Sequence, residues 1–179
     1  MSYRYLGLDL SLTGTGAIII DEKEKISTEV LIKSKKISEK PVDELIRLKN
    51  IVKEVEDTIL NGEKIIKLAA IEGIAFGVGK TTHLAQLSAL NYMIRDLLYD
   101  MDIPFVIIAP KSLKKYITGS GNASKDDMMF ETLNKYEKSF HNDNLCDAFA
   151  LSLVARDIGM GKATDKYQQD TVKKLSKQL

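Results

Sequence analysis

Apolar residues crowd into three short stretches at the start of the chain, Arg4 to Asp9, Gly16 to Ile20 and Ser27 to Ile32. A turn region around Gly14 and Gly16 and a charged turn from Asp21 to Lys25 separate them, which predicts an antiparallel three-strand meander. From Val42 to Leu60 the spacing changes. Leu45, Leu48, Val52, Val55 and Ile59 recur every three or four residues, the period of an amphipathic helix, and Asn61 and Gly62 end it. Ile65 to Glu72 is a mostly apolar run of strand length that finishes on an acid. A second helical pattern covers Thr82 to Met101, with Leu84, Leu87, Asn91, Ile94 and Leu98 on one face. Pro104 to Ala109 reads as another strand, and Lys111 to Ile117, Lys125 to Tyr136 and Asn144 to Ile158 read as helices. Three meandering strands followed by strands alternating with helices predict an α/β fold, a mixed sheet covered by helices.

At 179 residues and 44% hydrophobic, the chain suits one domain. We place it at 1–158, followed at 159–179 by a polar lysine-rich tail or helix, loosely attached. No apolar run is long enough to span a bilayer, and the N-terminus lacks a signal-peptide pattern. The expectation is a soluble, cytoplasmic protein without a membrane partner. Cys146 is the only cysteine, which excludes an intrachain disulfide and a cysteine-rich zinc site. A metal would need oxygen ligands, helped at most by His83 or His141. The net charge of +1 neither announces nor forbids a nucleic-acid partner. Lysines do gather locally, at Lys33, Lys35 and Lys36 and again at Lys111, Lys114 and Lys115, with Lys125 beyond. Such runs are usually solvated faces.

Three acids stand out against their surroundings. Asp9 ends the first strand, Glu72 ends the apolar run from Leu68 to Ile71, and Asp147 sits among Cys146, Ala148, Phe149, Ala150 and Leu151 on the most apolar helix. Each has a bland explanation as a cap or a solvent-facing strand end. Together they suit Mg²⁺ or Mn²⁺, which take carboxylates and water, and hence phosphodiester hydrolysis.

The segment Gly7-Leu8-Asp9-Leu10-Ser11-Leu12-Thr13-Gly14-Thr15-Gly16 resembles the first-strand motif of RuvC Holliday junction resolvases, a branch of the RNase H-like superfamily. Ala70-Ile71-Glu72 resembles their second acidic strand. Pro110 to Lys115 followed by Thr118 to Lys125 resembles their basic loop and glycine-serine turn, and Asp147-Ala148-Phe149-Ala150-Leu151 resembles their final helix. The matches run in order from about residue 5 to 155. The resemblance implies an RNase H-like five-stranded mixed sheet, a homodimer, two Mg²⁺ ions with Mn²⁺ as a substitute, and paired nicks across a four-way junction. It assigns Asp9, Glu72 and Asp147 as catalytic, metal-binding acids. The fourth acid of the family falls on Asn144 here. Asp143 beside it could take the place, Asn144 could ligate through its carbonyl oxygen, or His141 could bend back. Lys125 matches a basic residue close to the reacting phosphate, where a cation offsets developing charge. Lys111, Lys114 and Lys115 are candidates for strand binding. Phe76 is offset by one residue from an aromatic that wedges against bases, and core packing explains it equally well.

Gly77-Val78-Gly79-Lys80-Thr81-Thr82 looks like the end of a P-loop, but the earlier glycine that motif needs would fall at Ile74. No nucleotide cofactor is expected, and Lys80 reads better as a phosphate contact on a loop over DNA. An ATPase or sugar kinase of the actin type would need a second domain for which the chain is too short. Two rivals remain: a nuclease cutting flaps and forks as well as four-way junctions, and an inactive branched-DNA-binding module.

Overall fold

The computed structural model describes residues 3–61, 65–74 and 81–179. Five strands, β1 (Arg4–Asp9), β2 (Gly14–Asp21), β3 (Ile26–Lys33), β4 (Ile66–Glu72) and β5 (Phe105–Ile108), form one sheet in the order β3-β2-β1-β4-β5. The β1–β2 and β2–β3 pairs are antiparallel, while β1–β4 and β4–β5 are parallel. The α/β mixed sheet anticipated from the patterning is therefore the observed one. Helices α1 (Pro41–Leu60) and α2 (Thr81–Asp100) cover one face. On the other lies α5 (Asp143–Met160), backed by α3 (Pro110–Thr118), α4 (Lys125–Tyr136) and α6 (Lys166–Leu175). No helix is long and apolar enough to cross a membrane.

Strand alternation sorts the sheet into two cores. Leu6, Leu8, Ala17, Ile19, Ala69 and Ile71 join α1 and α2, whereas Tyr5, Ile18, Ile20, Leu68, Ala70, Val106 and Ile108 join α5. Helix α5 is apolar nearly all round because it is covered by strands on one side and helices on the other. It lies unusually close to the sheet. A methyl group on Gly7 would sit 1.9 Å from the Ala148 carbonyl oxygen, and one on Gly16 would sit 2.3 Å from that of Asn144. Gly14 and Gly16 thus belong to β2 rather than to the expected turn, which is shorter, spanning residues 10–13. What looked like turn glycines are contact glycines.

Two further details differ from the periodic reading. The inward face of α1 is Leu48, Ile51, Val55 and Ile59 together with Arg47, while Leu45 is exposed and Val52 only partly buried. The lysine-rich end is docked. Gln168, Thr171 and Leu175 of α6 are buried, and Gln168 Nε2 donates to the Tyr116 carbonyl oxygen (3.3 Å) and the Tyr136 hydroxyl (3.1 Å). In the following 3-10 turn, Gln178 accepts from Ile107 N (2.8 Å) and donates to Ile107 O (2.9 Å), closing part of the free edge of β5. Polar contacts join Leu175 and Val172 in holding this segment, and hydrophobic periodicity does not reveal them.

Candidate active site

Asp9 and Glu72 finish two adjacent parallel strands, and β-alternation puts both on the face that α5 covers. The carboxyl ends of parallel strands are where open α/β sheets form their ligand crevices. Helix α5 delivers the third acid. Its N-cap is Asn142, whose Oδ1 accepts from Asn144 N (2.9 Å) and Leu145 N (3.4 Å), so Asp147 is free of capping duty and stands in the second turn. The close approach at Gly7 and Gly16 brings that turn down onto the strand ends.

The three carboxyls perturb one another. Burial pushes Asp9, only 6% exposed, far above the ordinary carboxylate range, and the charges of Glu72 and Asp147 add to the effect. Glu72 is raised by burial and by Asp147, offset by its hydrogen bond with Asp9 and by Lys114 and Lys125. Asp147 is raised to about 6 by burial, with Asp143 adding to this and Lys125 and Lys114 opposing it. Burial and neighbouring carboxylates make each of these groups costly to keep charged, a cost that a bound cation would relieve.

Two lysines face this cluster from the other side. Ser124 and Asp127 make a capping box that starts α4, with Ser124 Oγ accepting from Asp127 N (3.1 Å) and Asp127 Oδ2 from Ser124 N (2.8 Å). Lys125 follows in the first turn, where the helix dipole disfavours a cation. It pairs there with Asp143, which holds Asp143 below its usual pKa and raises that of Lys125. Lys114 Nζ donates to the Ala123 carbonyl oxygen (2.7 Å), fastening the glycine-serine loop to α3 while its charge acts on Glu72 and Asp147.

Among the described residues, no three His, Cys, Asp or Glu side chains are gathered tightly enough to hold an ion as they stand. The donor chemistry nonetheless fits a hard divalent cation. Three carboxyls, destabilised as anions by burial and by neighbouring acids, lie at the strand ends and the adjoining turn of α5, and none accepts a hydrogen bond from a lysine or arginine among the described residues.

The family model described as crossover junction endodeoxyribonuclease RuvC matches residues 5–155, a span that contains all of these groups. The chain belongs to the RuvC family. Two solved structures of Thermus thermophilus RuvC resemble it. The complex with Holliday junction substrate is 16% identical, with a TM-score of 0.68, covering 84% of this chain and 90% of that one. A second Thermus RuvC structure is 16% identical, with a TM-score of 0.67, covering 92% and 99%. At that identity the likeness establishes the fold. No curated protein matches the sequence.

Within this RuvC-type frame, Asp9, Glu72, Asp147 and Asp143 come together, with Lys125 and Lys114 beside them. Asn144 Nδ2 donates to the Gly14 carbonyl oxygen (2.6 Å), which ties α5 to the start of β2. His141 is exposed on the loop before α5, whereas His83 and Glu72 line a common cavity of about 190 Å³. Lys111 is exposed at the start of α3, and Lys115 is turned away from the acids into a groove shared with Asp170 and Lys174. Phe76 and Lys80 lie outside the described residues. Sequence reasoning treated Asn91 as one more position on a helix face. It is 1% exposed, and its Nδ2 donates to the main-chain carbonyl of Glu72 (3.3 Å), steadying the strand end that carries the acid. A polar residue in a core-facing register was the available signal.

Proposed function

We propose that this RuvC-family chain is a divalent-metal-dependent, structure-selective endonuclease that resolves Holliday junctions by paired nicks, acting as a homodimer. The observation that carries the reading is the trio of buried Asp9 and half-buried Glu72 and Asp147, gathered where the carboxyl ends of β1 and β4 meet α5. The Thermus RuvC structure in complex with Holliday junction substrate supports the choice of DNA.

Asp9, Glu72 and Asp147, with Asp143 as the fourth acid, would hold two Mg²⁺ ions, with Mn²⁺ as a substitute. The chemistry that bound ions would supply there is an activated water and stabilisation of the departing 3′ oxygen. The chain's own residues prepare the place. The capping box of α4 holds Lys125 at the crevice mouth, where its ammonium offsets charge building on the reacting phosphate. Asp143 keeps that ammonium oriented. Asn91 fixes the main chain at Glu72, and Gly73 N extends the β4–β5 ladder by donating to Ile108 O (2.7 Å), so the acid projects from a rigid edge. Asn144 is anchored to β2 through Nδ2 with Oδ1 left over, and Asp143 is given the fourth place because it is the carboxylate whose charge acts on Asp147 and Asp9. Two copies of one site, related by a twofold axis, match the two symmetric strands of a four-way junction.

The test is end-labelled four-way junction, flap, fork and linear duplex DNA incubated with Mg²⁺, Mn²⁺ or EDTA, with product ends mapped on each strand. Symmetric nicks confined to the junction and lost in EDTA support the reading. Cutting spread over flaps and forks makes it a general branch nuclease, and binding without cutting makes it a recognition module.

A further inference from the structure

We infer that the groove between the end of β3 and α1 is a second phosphate site, taking a backbone phosphate of a nucleic-acid arm outside the acid cluster. This rests on the reading that the chain binds branched DNA.

The groove, about 370 Å³, is lined by Lys33, Ser34, Lys35, Arg47, Asn50 and Glu54 among others. Arg47 is the decisive residue. It is 8% exposed, on the inward face of α1, yet it pairs with no carboxylate among the described residues. Its Nε donates to Ser34 Oγ (2.9 Å), its Nη2 donates to the Leu12 carbonyl oxygen, and Nη1 has no partner among the described residues. Of the two acids one turn earlier, Asp43 accepts from Ser38 Oγ (2.5 Å) and Glu44 makes no ion pair with Arg47. A buried cation left without an anion is costly unless a ligand supplies one. A guanidinium with a free edge is suited to a phosphate oxygen. Lys33 and Lys35 add two exposed ammonium groups to the same groove, and Glu54 is its one acid.

Position suggests the source of that phosphate. Lys33 pairs with Gly14, and Gly16 with Asp9, so the groove and the acids share one end of the sheet. Strand β3 is two strands from β1, roughly 10 Å away at the usual strand spacing. The acids lie on the α5 face and the groove on the α1 face, so duplex DNA centred on the acids would reach it with phosphates of an arm that continues past that end of the sheet. Arg47 also holds Leu12, in the turn that leaves Asp9, so an anion bound at the guanidinium would bear on that turn directly.

The test uses ¹⁵N-labelled full-length protein and follows the Arg47 Nε–H resonance during titration with inorganic phosphate at constant ionic strength set by chloride. A saturable shift in wild type that is lost in Lys33→Ala/Lys35→Ala supports the site. No shift, or one that chloride reproduces, overturns it. The same double variant, combined with Asp9→Asn to prevent cutting, is then compared with Asp9→Asn alone for four-way junction binding over a range of salt. We expect affinity to fall about fivefold or more, and the salt slope to drop by about one counterion. A phosphate shift with unchanged junction affinity and slope overturns the nucleic-acid assignment. If the wild type binds no branched DNA, the proposed function fails, while the phosphate titration still decides the groove.

Discussion

Helix α5 carries two interior acids, and they live differently. Asp157, 2% exposed, accepts from the Tyr116 hydroxyl (2.6 Å) and from Arg156 Nε and Nη2 (2.9 and 2.6 Å), while Arg156 also reaches Glu24. Asp147, ten residues earlier, has no hydrogen-bond donor among the described residues and faces Asp9, Glu72 and Asp143 across a crevice. Burial raises the pKa of both. The difference lies in what answers the charge. At Asp157 the protein answers it, and the result is a structural clasp joining α3 and α5. At Asp147 the charges of Lys125 and Lys114 only partly offset burial and Asp143, and no donor reaches the carboxylate among the described residues, which leaves a place for a cation from outside. An interior acid is therefore informative about function through its partners, not through its burial alone.

The comparison can be broken at either end. Asp9→Asn should lower junction cutting by at least about a thousandfold in single-turnover assays while leaving junction affinity intact, because it removes an acid and no lysine. It should also raise the melting temperature in EDTA. Asp157→Ala should do the reverse, costing about 1–3 kcal/mol in chemical denaturation because the Tyr116 hydroxyl loses its acceptor and Arg156 keeps only Glu24, with cutting preserved at permissive temperature. Equal effects of the two substitutions on both properties would erase the distinction.

A subtler version uses pH. The folded-state pKa of Asp147 is about 6 and that of Asp9 about 9, both above the unfolded value of 3.8. Acids raised in this way leave the fold most stable where they are protonated. In EDTA, stability should decline as pH rises from about 4 through 6 and onward towards 9. Mg²⁺ should flatten that decline, and Asp9→Asn should reduce it. A metal-free protein whose melting temperature rises over this window would contradict the assignment. The smallest effect is expected from Lys125→Ala, a tenfold to hundredfold slower cut, on the order of 1–3 kcal/mol of transition-state stabilisation, with little change in junction binding.

Much of this candidate site's make-up was legible in the sequence because its signals are local. An acid at the end of an apolar strand, or on an apolar helix, is an anomaly visible without coordinates, and Asp9, Glu72 and Asp147 share it. The strands and helices were equally readable, since period 2 and period 3.6 are written in consecutive residues. What escaped depends on contacts between distant segments. Gly7 and Gly16 are explained only by the carbonyls of Ala148 and Asn144 pressing on them. Arg47 was hidden because the α1 stripe, read from Leu45 and Val52, was rotated away from its true inward face. Asn91 and Gln168 hold main-chain carbonyls on other elements, and no periodic pattern announces a polar side chain that the core requires.

The most direct measurement is a Mn²⁺ titration of ¹⁵N-labelled protein followed by paramagnetic broadening. The account predicts that amides around Asp9, Glu72 and Asp147 disappear first, with the effect weakening along α5 towards Asp157, about 15 Å away at 1.5 Å per residue. It also predicts that Asp9→Asn weakens the broadening at least tenfold in Mn²⁺ concentration. Broadening centred on Asp157 or on another acidic surface, or a response at the trio that Asp9→Asn leaves untouched, would contradict the claim that these unanswered acids form the metal centre.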